Sequence, residues 1–86
     1  MTFCTIPFAE SGVSVQISRY DSAQGVTEWH LMFHPSPCTD SFQSQYGRLV
    51  AARESVMSMP EFCSARCMQS RWFVSDIANQ RPLMTP

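Results

Sequence analysis

Ser64-Ala65-Arg66-Cys67-Met68-Gln69-Ser70-Arg71-Trp72-Phe73-Val74-Ser75-Asp76-Ile77-Ala78-Asn79-Gln80 decides how the chain is read, because it joins an extended apolar run to a helix-start signal. Over 65–75, Arg66, Met68, Ser70, Trp72 and Val74 fall on one side of a strand, and Ala65, Cys67, Gln69, Arg71 and Phe73 on the other. Apolar groups on both sides toward its C-terminal end predict an interior strand or coverage of both faces. Asp76 then stands as the cap of a helix begun by Ile77-Ala78-Asn79-Gln80, which Pro82 and the last residues hold to about one turn.

Upstream of this stretch, the apolar residues Phe42, Tyr46, Leu49, Val50, Val56 and Met57 recur at helical spacing between Ser41 and Met59, with Arg53 interrupting and Ala51 and Ala52 nearby. This predicts an amphipathic helix of about five turns. Asp40 is its expected N-cap, with Gln43 completing a capping-box-like pair, and Pro60 its expected end. Gly47 costs about 1 kcal/mol relative to alanine inside a helix, so it marks either close packing or a neutral surface position.

Two strands precede the helix. Val13, Val15 and Ile17 alternate with Ser14, Gln16 and Ser18, the period-two pattern of a half-buried strand. Asp21-Ser22-Ala23-Gln24-Gly25 supplies turn formers and a glycine able to take positive φ, hence a hairpin. Val26 to His34 sets Thr27, Trp29, Leu31 and Phe33 on one face and Glu28, His30, Met32 and His34 on the other, until Pro35-Ser36-Pro37 stops the ladder. Residues 1–11 show no sustained period and contain Pro7, so they read as an entry segment with at most a short edge strand.

The sum is an α+β unit, strand-strand-helix-strand with the start of a second helix, in one domain spanning 1–86. A helix that links two parallel strands of one sheet is a crossover. It covers one sheet face. The other, bearing His30, Met32 and part of the third strand, is left to solvent or to another subunit.

Composition removes several function classes. A formal net charge of -1 gives no broad field for capturing nucleic acid or an anionic membrane. All six basic residues are arginine, so Schiff-base chemistry on a lysine is excluded. No segment approaches the roughly 20 apolar residues of a membrane span, and Met1 to Pro7 has neither the basic flank nor the apolar run of an export signal. A cytoplasmic protein with Cys4, Cys38, Cys63 and Cys67 as reduced thiols is the resulting expectation.

The residues form no catalytic signature. Cys63 and Cys67 with His30 and His34 come nearest to a metal set, but a strand carrying both cysteines would hold them about 13 Å apart. The cysteines are therefore read as small apolar residues rather than zinc ligands, and the histidines as solvated or interface groups rather than a site. No base lies by spacing beside Cys38 or Cys67, the seven carboxylates are scattered, and no glycine-rich phosphate loop exists. Trp29, Phe33, Trp72 and Phe73 read as core or interface, there being no basic groove to make them a base-stacking platform. No catalytic, cofactor-binding or metal residue is assigned, and no cofactor is expected.

Three segments resemble the YjgF/RidA family, the reactive-intermediate deaminases also described as translation-inhibitor or endoribonuclease proteins. They are Leu31-Met32-Phe33 before its loop, Phe42-Gln43-Ser44-Gln45-Tyr46-Gly47-Arg48-Leu49, and Arg71-Trp72-Phe73-Val74-Ser75-Asp76-Ile77-Ala78-Asn79. The resemblance covers about residues 12 to 80. It implies a chorismate-mutase-like α+β fold that is incomplete at the C-terminus, a homotrimer, and a small carboxylate ligand bound between subunits. The family's substrate-binding arginine and acidic residue lie in a later segment, and His34-Pro35 stands where many members have Ser-Gly. The expectation is therefore a small-molecule-binding relative of imine and enamine hydrolases with little or no deaminase activity alone. The alternative is a non-enzymatic oligomeric interaction module, with no nucleic-acid or membrane partner in either case.

Overall fold

The computed structural model describes residues 1–65, 69–75 and 80–82. They form a small α+β domain: strands β1 (Thr2–Phe8), β2 (Val13–Asp21) and β3 (Val26–His34), helices α1 (Phe42–Met57) and α2 (Pro60–Ala65), then strands β4 (Gln69–Ser75) and β5 (Gln80–Pro82). The sheet is mixed, in the order β1-β2-β3-β4-β5, antiparallel throughout except for the parallel pair β3–β4. α1 and α2 lie in the crossover between those two strands.

Alternation in β2 and β3 sets the core. Register pairs Val15 with Phe33 and Ile17 with Leu31, so that every second side chain of both strands enters one face. Val13, Val15, Ile17, Trp29, Leu31 and Phe33 are buried there with Leu49, Ala52 and Val56 of α1. The hairpin follows the expected turn chemistry. Ser22 N–H donates to the Val26 carbonyl at 2.8 Å, the Ser22 hydroxyl accepts from the Val26 N–H at 3.2 Å, and Gly25 takes φ +81°. The Gly25 carbonyl also accepts from Gln69 N–H at 3.1 Å, which ties the start of β4 to the same turn.

Several boundaries differ from the sequence expectations. Residues 1–11 contain a full seven-residue strand, β1, which is irregular between Thr2 and Cys4 and therefore shows no clean period. Its edge position tolerates Pro7, which lacks a donor. The α1 N-cap is Ser41, not Asp40: Ser41 Oγ accepts from the Ser44 N–H at 3.3 Å, and Gln43 takes no capping role. Asp40 instead braces the loop, pairing with Arg48 through its carboxylate and accepting the Gln45 side-chain amide on its carbonyl at 2.7 Å.

Pro60 does not simply end a helix; it opens α2 as its first residue, a position where a missing N–H costs nothing. The third strand accordingly begins at Gln69 rather than Ala65, because Ala65 belongs to α2. The expected cap Asp76 and helix start Ile77-Ala78-Asn79 lie outside the described residues. Gln80, placed in that helix by the sequence, is in β5 and pairs with Ser75. The interior position of the third strand holds, since β4 lies between β3 and β5.

Of the apolar residues assigned to the α1 stripe, Leu49 and Val56 are buried, while Phe42 is 81 % and Met57 46 % exposed. The buried alanine is Ala52 and not Ala51. A side chain at Gly47 would meet open space, which settles that position as surface.

Two stability measurements follow. Leu31→Ala empties a fully buried site of β3 in the core and should cost about 2–5 kcal/mol in a urea titration. Gly47→Ala should raise the free energy of unfolding by about 0.5–1 kcal/mol, since the helix gains propensity and nothing is crowded.

Candidate functional site

Helices cover one face of the sheet. On the other face β2 and β3 present the residues between the core positions, and these form a shallow, open concavity of about 490 Å3. Gln16, Ser18 and Tyr20 line it from β2, Glu28, His30 and Met32 from β3, and Ser75 from β4. Cross-strand pairing explains the grouping: Gln16 is opposite Met32, Ser18 opposite His30 and Tyr20 opposite Glu28. At a strand spacing near 4.8 Å, such neighbours share one patch.

An aromatic row crosses this face. The Tyr20 ring meets the His30 ring edge-on at 5.0 Å, and His30 meets Phe73 of β4 at 5.3 Å. His34 lies further along, its Nε2 2.7 Å from Gln16 Oε1, and Gln16 Nε2 donates to Thr2 Oγ1 at 3.3 Å. His30 and His34 therefore have separate surroundings, one among rings and one in an amide network. The concavity offers an imidazole, a phenol, a carboxylate, hydroxyls and an amide, enough to orient a small polar ligand. Among the described residues that line it, no hydroxyl or thiol is hydrogen-bonded to a base.

Among the described residues no cysteine lines this concavity. Cys4 and Cys38 are half-buried free thiols, and Cys63 is an exposed one on α2. Because Cys63 is helical, the strand spacing used to separate it from Cys67 does not apply, and Cys67 lies outside the described residues. Burial pushes the Cys4 thiol up, with the charge of Glu61 adding to the effect, which leaves it a poor nucleophile at neutral pH. Among the described residues no three His, Cys, Asp or Glu side chains are gathered to hold a metal ion.

A second polar cluster closes the end of the core. Thr27, fully buried, donates its hydroxyl to Asp21 Oδ1 at 2.8 Å, and Arg19 Nε donates to the same oxygen at 3.2 Å. The Arg19 guanidinium also lies 5.5 Å from the Trp29 ring centroid. Period-two alternation placed Thr27 inward, but nothing in the sequence signalled that Asp21, assigned to a turn, would be its acceptor. No family model, curated protein or solved structure matches this chain.

The hydrogen bond from Thr27, and then that from Arg19, hold the Asp21 carboxyl below its usual value. A lowered carboxyl contributes stability above its unfolded value, about 3.9, and loses it as pH falls through the folded value. Thermal melts should place Asp21→Asn below the native chain at pH 7. The gap should close progressively below about pH 4; a gap that persists unchanged to pH 2 would contradict this assignment.

Proposed function

We propose that this chain is a RidA-like small-molecule-binding protein that works as a homo-oligomer through the open face of its sheet, with little deaminase activity of its own. The observation that carries the reading is the concavity on the sheet face that no described helix covers. A sheet whose second face bears Tyr20, His30, Met32 and Phe73 leaves apolar and aromatic area in water unless something packs there. The surrounding Gln16, Ser18 and Ser75 supply hydrogen-bonding groups for a small carboxylate held where subunits meet. The observed order, three strands, two helices and two strands, adds β1 and α2 to the expected strand-strand-helix-strand run, and it supports the chorismate-mutase-like comparison only as an α+β arrangement. By family resemblance the oligomer is a trimer.

A second reading is favoured by the same aromatic row: a non-enzymatic interaction module whose Tyr20–His30–Phe73 patch binds a protein surface. Ligand binding separates the two readings.

Sedimentation equilibrium should give an oligomer for the native chain and a mass shifted toward monomer for Met32→Glu, which puts a charge at the centre of the face. A native chain that is monomeric at all concentrations would sink the oligomer. Ligand-observed NMR with a panel of small 2-oxo and amino acids should show binding. No binding by any member would leave the interaction module, and appreciable hydrolysis of an enamine or imine amino-acid derivative would refute the expected inactivity.

A further inference from the structure

Charge on the open sheet face is unevenly placed. Among the described residues that line the concavity, Glu28 alone bears a formal charge while the imidazole is neutral. Glu28 is half-buried, yet its carboxylate has neither a hydrogen-bond nor an ion-pair partner among the described residues. Its cross-strand neighbour on β2 is Tyr20, whose ring is engaged edge-on with His30 at 5.0 Å and whose hydroxyl does not bond to it. Its neighbour by register on β4 is Arg71, across a strand spacing near 4.8 Å. Alternation with Trp72 puts Arg71 on the same face as Phe73, where it is exposed and lies outside the lining of the concavity. No ion pair joins Arg71 to Glu28 or to any other described carboxylate. Two opposite charges therefore stand side by side on this face without being joined.

We infer that the ligand of this face is a small α-amino acid, its ammonium group held by Glu28 and its carboxylate by Arg71. This rests on the small-molecule reading of the concavity and narrows it to ligands that carry an amine. A ligand bearing a carboxylate alone would be set beside the Glu28 charge with no cation lining the concavity to offset it, and like charges in contact repel. An ammonium group instead brings three N–H donors to a half-buried carboxylate that has none. The neighbouring rings act in the same direction, since the face of an aromatic ring such as Tyr20, 49 % exposed, attracts a cation and not an anion. Arg71 then supplies the planar pair of donors that suits a carboxylate. An α-amino acid carries its two charges on one carbon, which matches two opposite charges at facing register positions. The volume of about 490 Å3 is that of a small-molecule site.

Calorimetric titration of the native chain at about pH 7.5, where an imidazole is largely neutral, compares alanine and leucine with pyruvate and 4-methyl-2-oxopentanoate. Each 2-oxo acid keeps the carboxylate and carbon skeleton of its amino acid and replaces the ammonium with a ketone. The amino acids should bind at least about tenfold more tightly than their 2-oxo counterparts. Glu28→Gln keeps the shape and removes the charge; it should weaken the amino acids about tenfold or more and leave the 2-oxo acids no weaker, so that the preference disappears. Arg71→Gln should weaken both series, because both carry the carboxylate. Circular dichroism of each variant checks that the sheet is retained, and the preference of the native chain is measured without any substitution. Equal or tighter binding of the 2-oxo acids, or an amino-acid preference that survives Glu28→Gln, would overturn the inference and leave the small-molecule reading standing. Failure of every member of both series to bind would remove that reading and the inference with it.

Discussion

Trp29 stacked on Trp72 is the contact on which the rest of the domain depends. The two rings lie 5.3 Å apart and 16° from parallel, on strands β3 and β4 that are adjacent in the sheet but more than thirty positions apart in the chain. β2 and β3 are joined by a four-residue turn, whereas β4 returns only after two helices, so its pairing must overcome a larger loop-closure entropy. Around Trp29, fully buried, gather Phe3 edge-on at 5.0 Å, Phe62 of α2 at 5.9 Å and the Arg19 guanidinium. One side chain thus draws together β1, β2, β4 and α2. The cost is local: Trp29 Nε1 is buried with no hydrogen-bond partner among the described residues.

Placing the large rings on the helical side determines what is left on the other. With Trp29 and Trp72 inward, alternation sends His30 and Phe73 outward, where they meet each other. The candidate site is therefore a consequence of core packing in the same two strands: the side chains that line the concavity are the odd neighbours of the residues that hold the sheet to its helices. A change of register by one residue would exchange core and site together.

Legibility in the sequence followed the regularity of each element. β2 and β3 could be read because Val13, Val15, Ile17 and Thr27, Trp29, Leu31, Phe33 keep strict alternation across a turn with a positive-φ glycine. β1 was obscure because its ladder is irregular between Thr2 and Cys4 and its Pro7 is a strand breaker except at an edge. Asp40 and Ser41 are both good caps by type, and only the bond from Ser44 N–H to Ser41 Oγ decides between them, with Asp40 engaged by Arg48 instead. Pro60 ends a helix and begins one with equal chemical sense, so α2 and the later start of β4 were hidden. The concavity was legible only as an uncovered face. Its depth, and the meeting of Tyr20 with His30 and of His30 with Phe73, need the cross-strand register.

By itself, the sequence determined the α+β class, the hairpin, the crossover helix, the inward set of β2 and β3, and the exclusion of lysine chemistry, since these follow from local periodicity and residue inventory. Tertiary structure alone decided the parallel partnership of β3 with β4, the conversion of 60–65 into helix, and the burial of only Leu49, Ala52 and Val56 among the apolar residues of α1. It also decided the assembly of Gln16, Tyr20, His30 and Ser75 into one concavity. The reason is physical: periodicity fixes which way a side chain points relative to its neighbours along the chain, but what it meets there is set by segments distant in sequence, and those contacts exist only once the sheet has closed over Trp29.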